Sequence, residues 1–187
     1  MVRWLICRPN RDTLLNPIDL DQSLSARTIM RIMIINGPNL NLLGVREPHI
    51  YGSTTLDAIK ACCEEFAKFA GARLSFHQSN YEGVLVDLIQ SARTDADALI
   101  INPAAYSFTS IAMYDAMKIF KGPLFEVHIS NIHARDELHR HSKLSSVVTA
   151  VIAGLGPYGY ILAMQAALHS AKKLPEALPT AMRVGPK

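Results

Sequence analysis

Residues 31–36 read RIMIIN, and the next two residues are Gly37 and Pro38. A run of apolar side chains bounded by turn residues predicts a short buried strand that ends before the glycine. The same pattern recurs at residues 98–101, which read ALII and lead into an Asn-Pro pair. Strands with continuous apolar runs are typical of a parallel sheet that is covered by helices on both faces.

Working outward from these two strands, apolar runs alternate with segments in which apolar residues recur every three or four positions. This alternation predicts a flavodoxin-like α/β fold, a three-layer sandwich with a five-stranded parallel sheet. The other strands are predicted over residues 73–78, 124–129 and 147–152, the first of them near an edge of the sheet. The helices are predicted over residues 56–70, 85–92, 112–120 and 158–168.

Composition and charge restrict the class of protein. The chain has 187 residues, 49% of them hydrophobic, which suits one domain with a sizeable core. The net charge is only +3, and the excess lies in residues 1–28 and 171–187. No basic stripe predicts nucleic-acid binding, and no apolar run approaches the ~18 residues of a membrane span. We predict a poorly ordered extension over 1–28, a catalytic domain over 29–170 and a flexible tail over 171–187.

Two further patterns bear on location and chemistry. Residues 1–28 contain neither the apolar stretch of a signal peptide nor the acid-poor composition of a mitochondrial transit peptide, so we predict a cytoplasmic protein. The three cysteines form no C-x-x-C motif, and no H-E-x-x-H motif occurs; we therefore predict no metal site. All seven histidines lie between His49 and His169, which raises the chance of proton transfer.

Polar segments follow three of the predicted strands, where ligands bind in sheets of this kind. The first is a long loop from Asn36 to Gly52, and such loops are usually functional; we interpret it as a lid. It contains Arg46 and Tyr51. A nearby cation lowers the pKa of a tyrosine and makes it a better base, although most such pairs serve packing or the surface.

A second pair lies towards the end of the fourth strand. Glu126 and His128 are two residues apart in a strand, so their side chains point to the same face of the sheet. A carboxylate beside a histidine makes the ring a better general acid, and a histidine held only for structure is an equally good interpretation of the spacing. Asn39, Asn102 and Ser130 add neutral hydrogen-bond donors. Together these residues favour proton abstraction and loss of water from a polyhydroxylated small molecule.

Five longer motifs point to one family. Residues 34–56, IINGPNLNLLGVREPHIYGSTTL, resemble the opening of the type II 3-dehydroquinate dehydratases. The later segments HQSNYEG, IINPAAY, EVHISNIHAR and GLGPYGY are similar to that family's other motifs, in the same order. The resemblance covers about residues 31–168. It implies dehydration of 3-dehydroquinate to 3-dehydroshikimate, in the shikimate pathway of aromatic amino-acid biosynthesis.

The resemblance also implies a mechanism without a cofactor or a Schiff-base lysine, in which water is lost in the anti sense through an enolate. Tyr51 corresponds to the base and Arg46 to the residue that activates it. His128 corresponds to the general acid, with Glu126 behind it. Asn39 corresponds to the residue that holds a water against the enolate.

The substrate-binding positions and the assembly are implied in the same way. Asn102, Ile129 and Ser130 correspond to the cradle for the substrate carboxylate and a hydroxyl, and Arg135 corresponds to a second arginine on the lid side. Asp115 corresponds to an acid that reaches a neighbouring subunit. The resemblance implies a homo-oligomer in which trimers assemble into a dodecamer.

The chain departs from the family pattern at specific positions. Phe108 stands where the family usually has a histidine that contacts substrate, and His139 stands where it has an arginine that reaches a ring hydroxyl. Tyr114 replaces an arginine, and Lys143 replaces an aromatic residue. Each lost charged hydrogen bond weakens binding by roughly ten- to a hundredfold.

These departures leave alternatives to the leading interpretation. One is a paralogue that acts on a related cyclic hydroxy-ketone, and another is a non-catalytic protein that binds a cyclitol acid or serves only in assembly. An FMN carrier of similar fold needs a phosphate-binding loop after the first strand, and the sequence there is not of that type. A response regulator needs acidic residues at the same strand end, where this chain has Asn36.

Overall fold

The computed structural model describes residues 29–45, 53–175, 177 and 178. The predicted N-terminal extension lies outside the described residues, as does most of the predicted tail. The strands are β1 (Arg31–Asn36), β2 (Arg73–Gln78), β3 (Ala98–Asn102), β4 (Leu124–His128) and β5 (Ala150–Ala153). The helices are α1 (Leu56–Phe69), α2 (Glu82–Asp95), α3 (Tyr106–Thr109), α4 (Ile111–Ile119) and α5 (Tyr158–Ser170).

The five strands form one parallel sheet in the order β2-β1-β3-β4-β5. This order confirms the predicted flavodoxin-like fold and the position of β2 at an edge. The chain leaves β1 for β2 on one side and returns to β3 on the other, so the strand order reverses between β1 and β3. The register pairs Asn36 with Asn102 at this reversal, which brings two polar strand ends together.

Helices cover both faces of the sheet because alternate residues of the central strands point to opposite sides. Ile32, Ile34 and Ile100 pack into one buried cluster, whose helical members come from α1 and α5. Ile35 and Ile101 pack into a second cluster with residues of α2 and α4. The structure is therefore the three-layer sandwich that the sequence predicts.

The predicted start of the fifth strand is wrong. Residues 144–147 form a 3-10 helix, and the strand begins only at Ala150. Leu144 is fully buried in the second cluster, so this segment fills the core from a turn. Pairing with β4 begins at Thr149, whose backbone N–H donates to the Leu124 carbonyl at 2.7 Å while its hydroxyl accepts from the Leu124 N–H at 3.0 Å.

Other boundaries move by at most three residues; the largest shift is at α2, predicted over 85–92 and observed over Glu82–Asp95. Thr55 caps α1 by accepting from the Ala58 N–H at 3.2 Å. After α5 the chain stays against the body of the protein, because Leu174 packs on the first buried cluster. None of the helices in the described part of the chain combines the length and the hydropathy that a membrane span requires.

Candidate active site

A cavity of about 110 Å³ opens beyond the carboxyl ends of β1, β3 and β4. Six residues proposed from the sequence line it together: Asn39, Asn102, His128, Ile129, Ser130 and Arg135. Glu126 lies behind His128 and is fully buried. Asp115 is absent from the cavity; it is exposed on α4, where Lys118 lies 3.8 Å from its carboxylate. Arg46 and Tyr51 lie outside the described residues.

A buried carboxylate holds the histidine of the site. The Nε2 atom of His128 lies 2.8 Å from Oε1 of Glu126, as expected for two side chains on one face of a strand. The Ser107 and Ser142 hydroxyls donate to the same oxygen at 3.0 and 2.6 Å. The Ser145 hydroxyl donates to Oε2 at 3.0 Å. We call these five residues the carboxylate network.

The network decides the charge of Glu126. Burial raises the pKa of this carboxyl, but the hydrogen bond and charge of His128 and the hydroxyls of Ser142 and Ser145 lower it by more, so the pKa lies below its ordinary value. An unpaired carboxylate in this position would be strongly destabilising. The structure therefore keeps Glu126 ionised beside the ring of His128.

The three serines of the network were missed by the sequence analysis. Ser107 belongs to α3, and Ser142 and Ser145 belong to the turns that precede β5. A glutamate inside an apolar strand does indicate that several donors must surround it. It does not indicate which of the many serines and threonines supply them, because these three are 16 to 19 residues away along the chain.

A second buried network lies on the opposite face of the sheet. The Tyr160 hydroxyl donates to Oδ1 of Asn36 at 2.6 Å and accepts from Nδ2 of Asn102 at 2.8 Å. Nδ2 of Asn36 donates to the His77 carbonyl at 2.9 Å. We call these four groups the amide relay. Tyr160 was also missed; the only signal for it was its place in the motif GLGPYGY, among small residues of a buried helix.

The loops after β1 and β3, which line the cavity, contain residues with positive φ and a close contact between their backbones. Asn39 adopts a left-handed conformation (φ 65°), and its N–H donates to Oδ1 of Asn80 at 2.9 Å. Ala104 also has a positive φ of 51°, which is unfavourable for a residue with a Cβ. A Cβ on Gly37 would lie 2.3 Å from the Pro103 carbonyl oxygen, so only glycine lets these two loops meet.

Phe108 and His139 form one side of the cavity, which we call the aromatic rim. The Phe108 ring stacks on His128 with centroids 6.3 Å apart, and it meets His139 edge-on at 5.4 Å. Nδ1 of His139 lies 2.8 and 2.9 Å from the two carboxylate oxygens of Asp136. The hydrogen bond and charge of His139 outweigh the opposing effect of desolvation and hold the pKa of Asp136 below its ordinary value.

The arrangement suits proton transfer in a small polar ligand. It offers an imidazole backed by a carboxylate, with amide and hydroxyl groups of Asn39, Asn102 and Ser130 around the same space. Among the described residues no three His, Cys, Asp or Glu side chains are grouped so that they could ligate a metal ion. General acid–base chemistry is what these side chains can perform.

Comparison with known proteins agrees with this geometry. Residues 30–168 match the model of the family described as dehydroquinase class II. The catabolic 3-dehydroquinase 1 of Aspergillus fumigatus is 50% identical over 134 residues, which are 72% of this chain and 89% of the relative. The 3-dehydroquinate dehydratase of Wolinella succinogenes is 52% identical over 135 residues, 72% of this chain and 81% of the relative.

Comparison with solved structures points to the same family. The crystal structure of the type II dehydroquinase from Butyrivibrio crossotus superimposes with a TM-score of 0.73 at 38% sequence identity, covering 74% of this chain and 97% of that one. This chain therefore belongs to the dehydroquinase class II family, a family of hydro-lyase enzymes.

Proposed function

We propose that the protein dehydrates 3-dehydroquinate to 3-dehydroshikimate. The observation that carries this proposal is the carboxylate network, which places His128 in the wall of a small cavity with the ionised Glu126 against its Nε2. The other groups of the cavity are the hydrogen-bonding ones that a polyhydroxylated acid requires. The names of the Aspergillus and Wolinella relatives support the same substrate.

The proposed acid step follows from the geometry of His128. Its Nε2 is committed to Glu126 at 2.8 Å, so Nδ1 is the nitrogen that gives its proton to the leaving hydroxyl. The Glu126 carboxylate compensates the positive charge of the ring before the transfer. The carbon–oxygen bond then breaks, water departs, and the electron pair of the enolate forms the new double bond.

The proposed base is Tyr51, which removes the proton beside the ketone and so forms the enolate. Arg46 keeps the tyrosine in its basic form, since a cation favours tyrosinate. Asn39 holds a water against the enolate oxygen. Asn102, Ile129 and Ser130 bind the carboxylate and a hydroxyl of the substrate, and Arg135 acts from the side of the loop that contains the base.

The proposed assembly is a set of trimers that form a dodecamer, in which Asp115 reaches the site of a neighbouring subunit. Its exposed position on α4, away from the cavity of its own chain, supports a role between subunits. We propose the shikimate pathway in the cytoplasm as the setting. Light scattering on the purified protein tests the assembly, and a monomer at micromolar concentration would contradict it.

An ultraviolet assay for the conjugated enone product tests the reaction directly. The parent should turn over 3-dehydroquinate, and His128→Asn should lower kcat by about 10²- to 10⁴-fold because the general acid is lost. His133→Asn is the matched control: this histidine is exposed and lies five residues later in the same segment. Equal activity in the parent and His128→Asn would remove His128 from the mechanism.

The aromatic rim supports one second candidate within the same chemistry. Phe108 gives the cavity an apolar side next to His128, where a hydroxyl of the substrate would find no partner on the ring. A related cyclic hydroxy-ketone that carries fewer hydroxyls would fit this side better. Comparing kcat/KM for 3-dehydroquinate with that for such an analogue decides between the two substrates.

A further inference from the structure

The amide relay consists of polar groups that are almost completely shielded from water. Asn36 and Tyr160 have no exposed surface, and Asn102 is 3% exposed. Burial raises the pKa of the Tyr160 hydroxyl despite the hydrogen bond from Asn102, so this group stays neutral and offers one proton. With a single proton to give, Tyr160 can donate to only one of its two neighbours.

The direction of the relay is fixed from its far end. The His77 carbonyl can only accept, so the group of Asn36 that faces it must be the amide nitrogen. The oxygen of Asn36 therefore faces Tyr160 and takes its proton. The oxygen of Tyr160 is left as an acceptor, and Asn102 must turn its nitrogen towards it.

The same logic determines what Asn102 presents to the cavity. Its Oδ1 accepts from the Ala104 N–H at 3.3 Å, and one of its two amide hydrogens is used by Tyr160. The second amide hydrogen remains for a ligand, and Asn102 lines the cavity. A flipped amide would instead place two oxygens against each other at Tyr160, which this buried site cannot tolerate.

We propose that Tyr160 is a positioning residue, which holds the Asn102 amide so that an N–H donor faces the cavity and binds an acceptor oxygen of the substrate. This role deepens the proposed function and rests on it for the identity of the substrate. The acceptor is a carboxylate or hydroxyl oxygen. The chain of hydrogen bonds that fixes this orientation runs from a backbone carbonyl of edge strand β2, through side chains of β1 and α5, to the end of β3.

The kinetic test compares Tyr160→Phe with Tyr158→Phe. The first removes the hydroxyl of the relay and keeps the ring; the second changes an exposed tyrosine two residues earlier in the same helix. Tyr160→Phe should raise KM for 3-dehydroquinate by roughly tenfold, as for the loss of one well-placed hydrogen bond, and change kcat by less than about twofold. Tyr158→Phe should match the parent in both.

A purely structural role would give a different result. Loss of folded enzyme lowers apparent kcat and leaves KM unchanged, and that result would overturn the proposal. If Tyr160→Phe does not fold, Asn36→Ser replaces it, because it removes the acceptor of Tyr160 at a position that does not line the cavity. An unchanged KM in that variant would equally overturn the proposal.

A crystal structure of the parent near 1 Å resolution tests the relay without any assay, because hydrogens and amide orientations become visible there. We expect the Asn102 nitrogen on Tyr160; an oxygen in that place would overturn the proposal. If the parent fails to turn over 3-dehydroquinate, the proposed function is wrong, while the amide orientation still decides whether Tyr160 positions Asn102.

Discussion

The carboxylate network and the amide relay flank the same cavity from opposite faces of the sheet. They differ in how the buried polar groups are satisfied by hydrogen bonds. Glu126 carries a charge and is surrounded by an imidazole and three hydroxyls. The relay carries no charge, and each member has one or two partners in a line. A buried charge requires many donors, whereas neutral amides require only that donors and acceptors alternate.

The difference separates two contributions to the site. The carboxylate network can move a proton and compensate the charge that this creates, so changes there should act on kcat and on acid stability. The amide relay can only orient an N–H group, so changes on its side should act on binding and on local stability.

Glu126→Gln should break the carboxylate network most severely. The substitution removes the charge beside His128 and turns one acceptor oxygen into a donor, so we expect kcat to fall by about 100-fold or more. The enone assay measures this, with circular dichroism to verify folding. Glu64→Gln, at an exposed position of α1 with Lys60 at 3.8 Å, is the control. A kcat within threefold of the parent would leave Glu126 only a structural role.

The same variant should change the response of stability to acid. The pKa of Glu126 is lower in the folded protein than its ordinary value of 4.5, so its contribution to stability is complete above that value and is lost as pH falls through the folded pKa. Urea unfolding followed from pH 6 to about pH 2.5, which covers the range below 4.5 where this contribution is lost, should therefore show a steeper decline in the parent than in Glu126→Gln. Parallel declines would contradict this.

A control for the acid experiment comes from the start of β1, at the end of the sheet opposite the cavity. Arg31 binds Asp97 through Nη2 and Oδ1 at 2.8 Å, and this hydrogen bond holds the pKa of Asp97 below its ordinary value. The pKa of Asp97 is shifted in the same direction as that of Glu126, but the Arg31–Asp97 pair is partly exposed, so solvent screens the interaction. Asp97→Asn should keep the part of the acid response that belongs to Glu126.

Restoring hydrogen bonds at the aromatic rim should strengthen substrate binding. Phe108→His together with His139→Arg should lower KM for 3-dehydroquinate by roughly tenfold, because each restored donor contributes on the order of 1 kcal/mol, and kcat should change little. The rings are 5.4 Å apart, so the single effects need not add. A double variant no better than the parent would favour the second substrate.

The smallest effect is expected on the relay side, at Ala104. Its φ of 51° is costly for alanine and not for glycine, so Ala104→Gly should raise the free energy of unfolding by about 0.5 kcal/mol. Ala105 has an ordinary helical φ of −63°, so Ala105→Gly should lower it by a similar amount. Chemical denaturation measures both, and a loss of stability in both would contradict the assigned strain.

The sequence predicted the fold well because its signals are local. The apolar runs of β1 and β3, each followed by a proline turn, reflect burial of residues that are adjacent in the chain. The alternation of these runs with helical periods predicts a sheet between two layers of helices. The error at β5 has a physical cause: residues 147–152 have the composition of a strand, but the serines before them bind Glu126 and hold Val147 at the end of a 3-10 helix.

The site was predictable where one residue and its strand end sufficed. Asn102 and His128 are the last residues of β3 and β4, and Ser130 comes soon after β4. The spacing of Glu126 and His128 alone placed them on one face. The serines of the carboxylate network and Tyr160 were not predictable in this way. A hydroxyl carries no local sign of its partner, and Tyr160 meets Asn36 across 124 residues of sequence.

Short-range spacing of residue types was enough to predict the sheet, its helices, the polar ends of β1, β3 and β4, and the family to which these motifs belong. The folded structure was needed to identify the donors around Glu126, the contact of Phe108 with His128, and the orientation of the Asn102 amide. Those outcomes depend on where distant segments pack, since a hydrogen bond or ring contact forms only between groups that folding brings within a few ångströms.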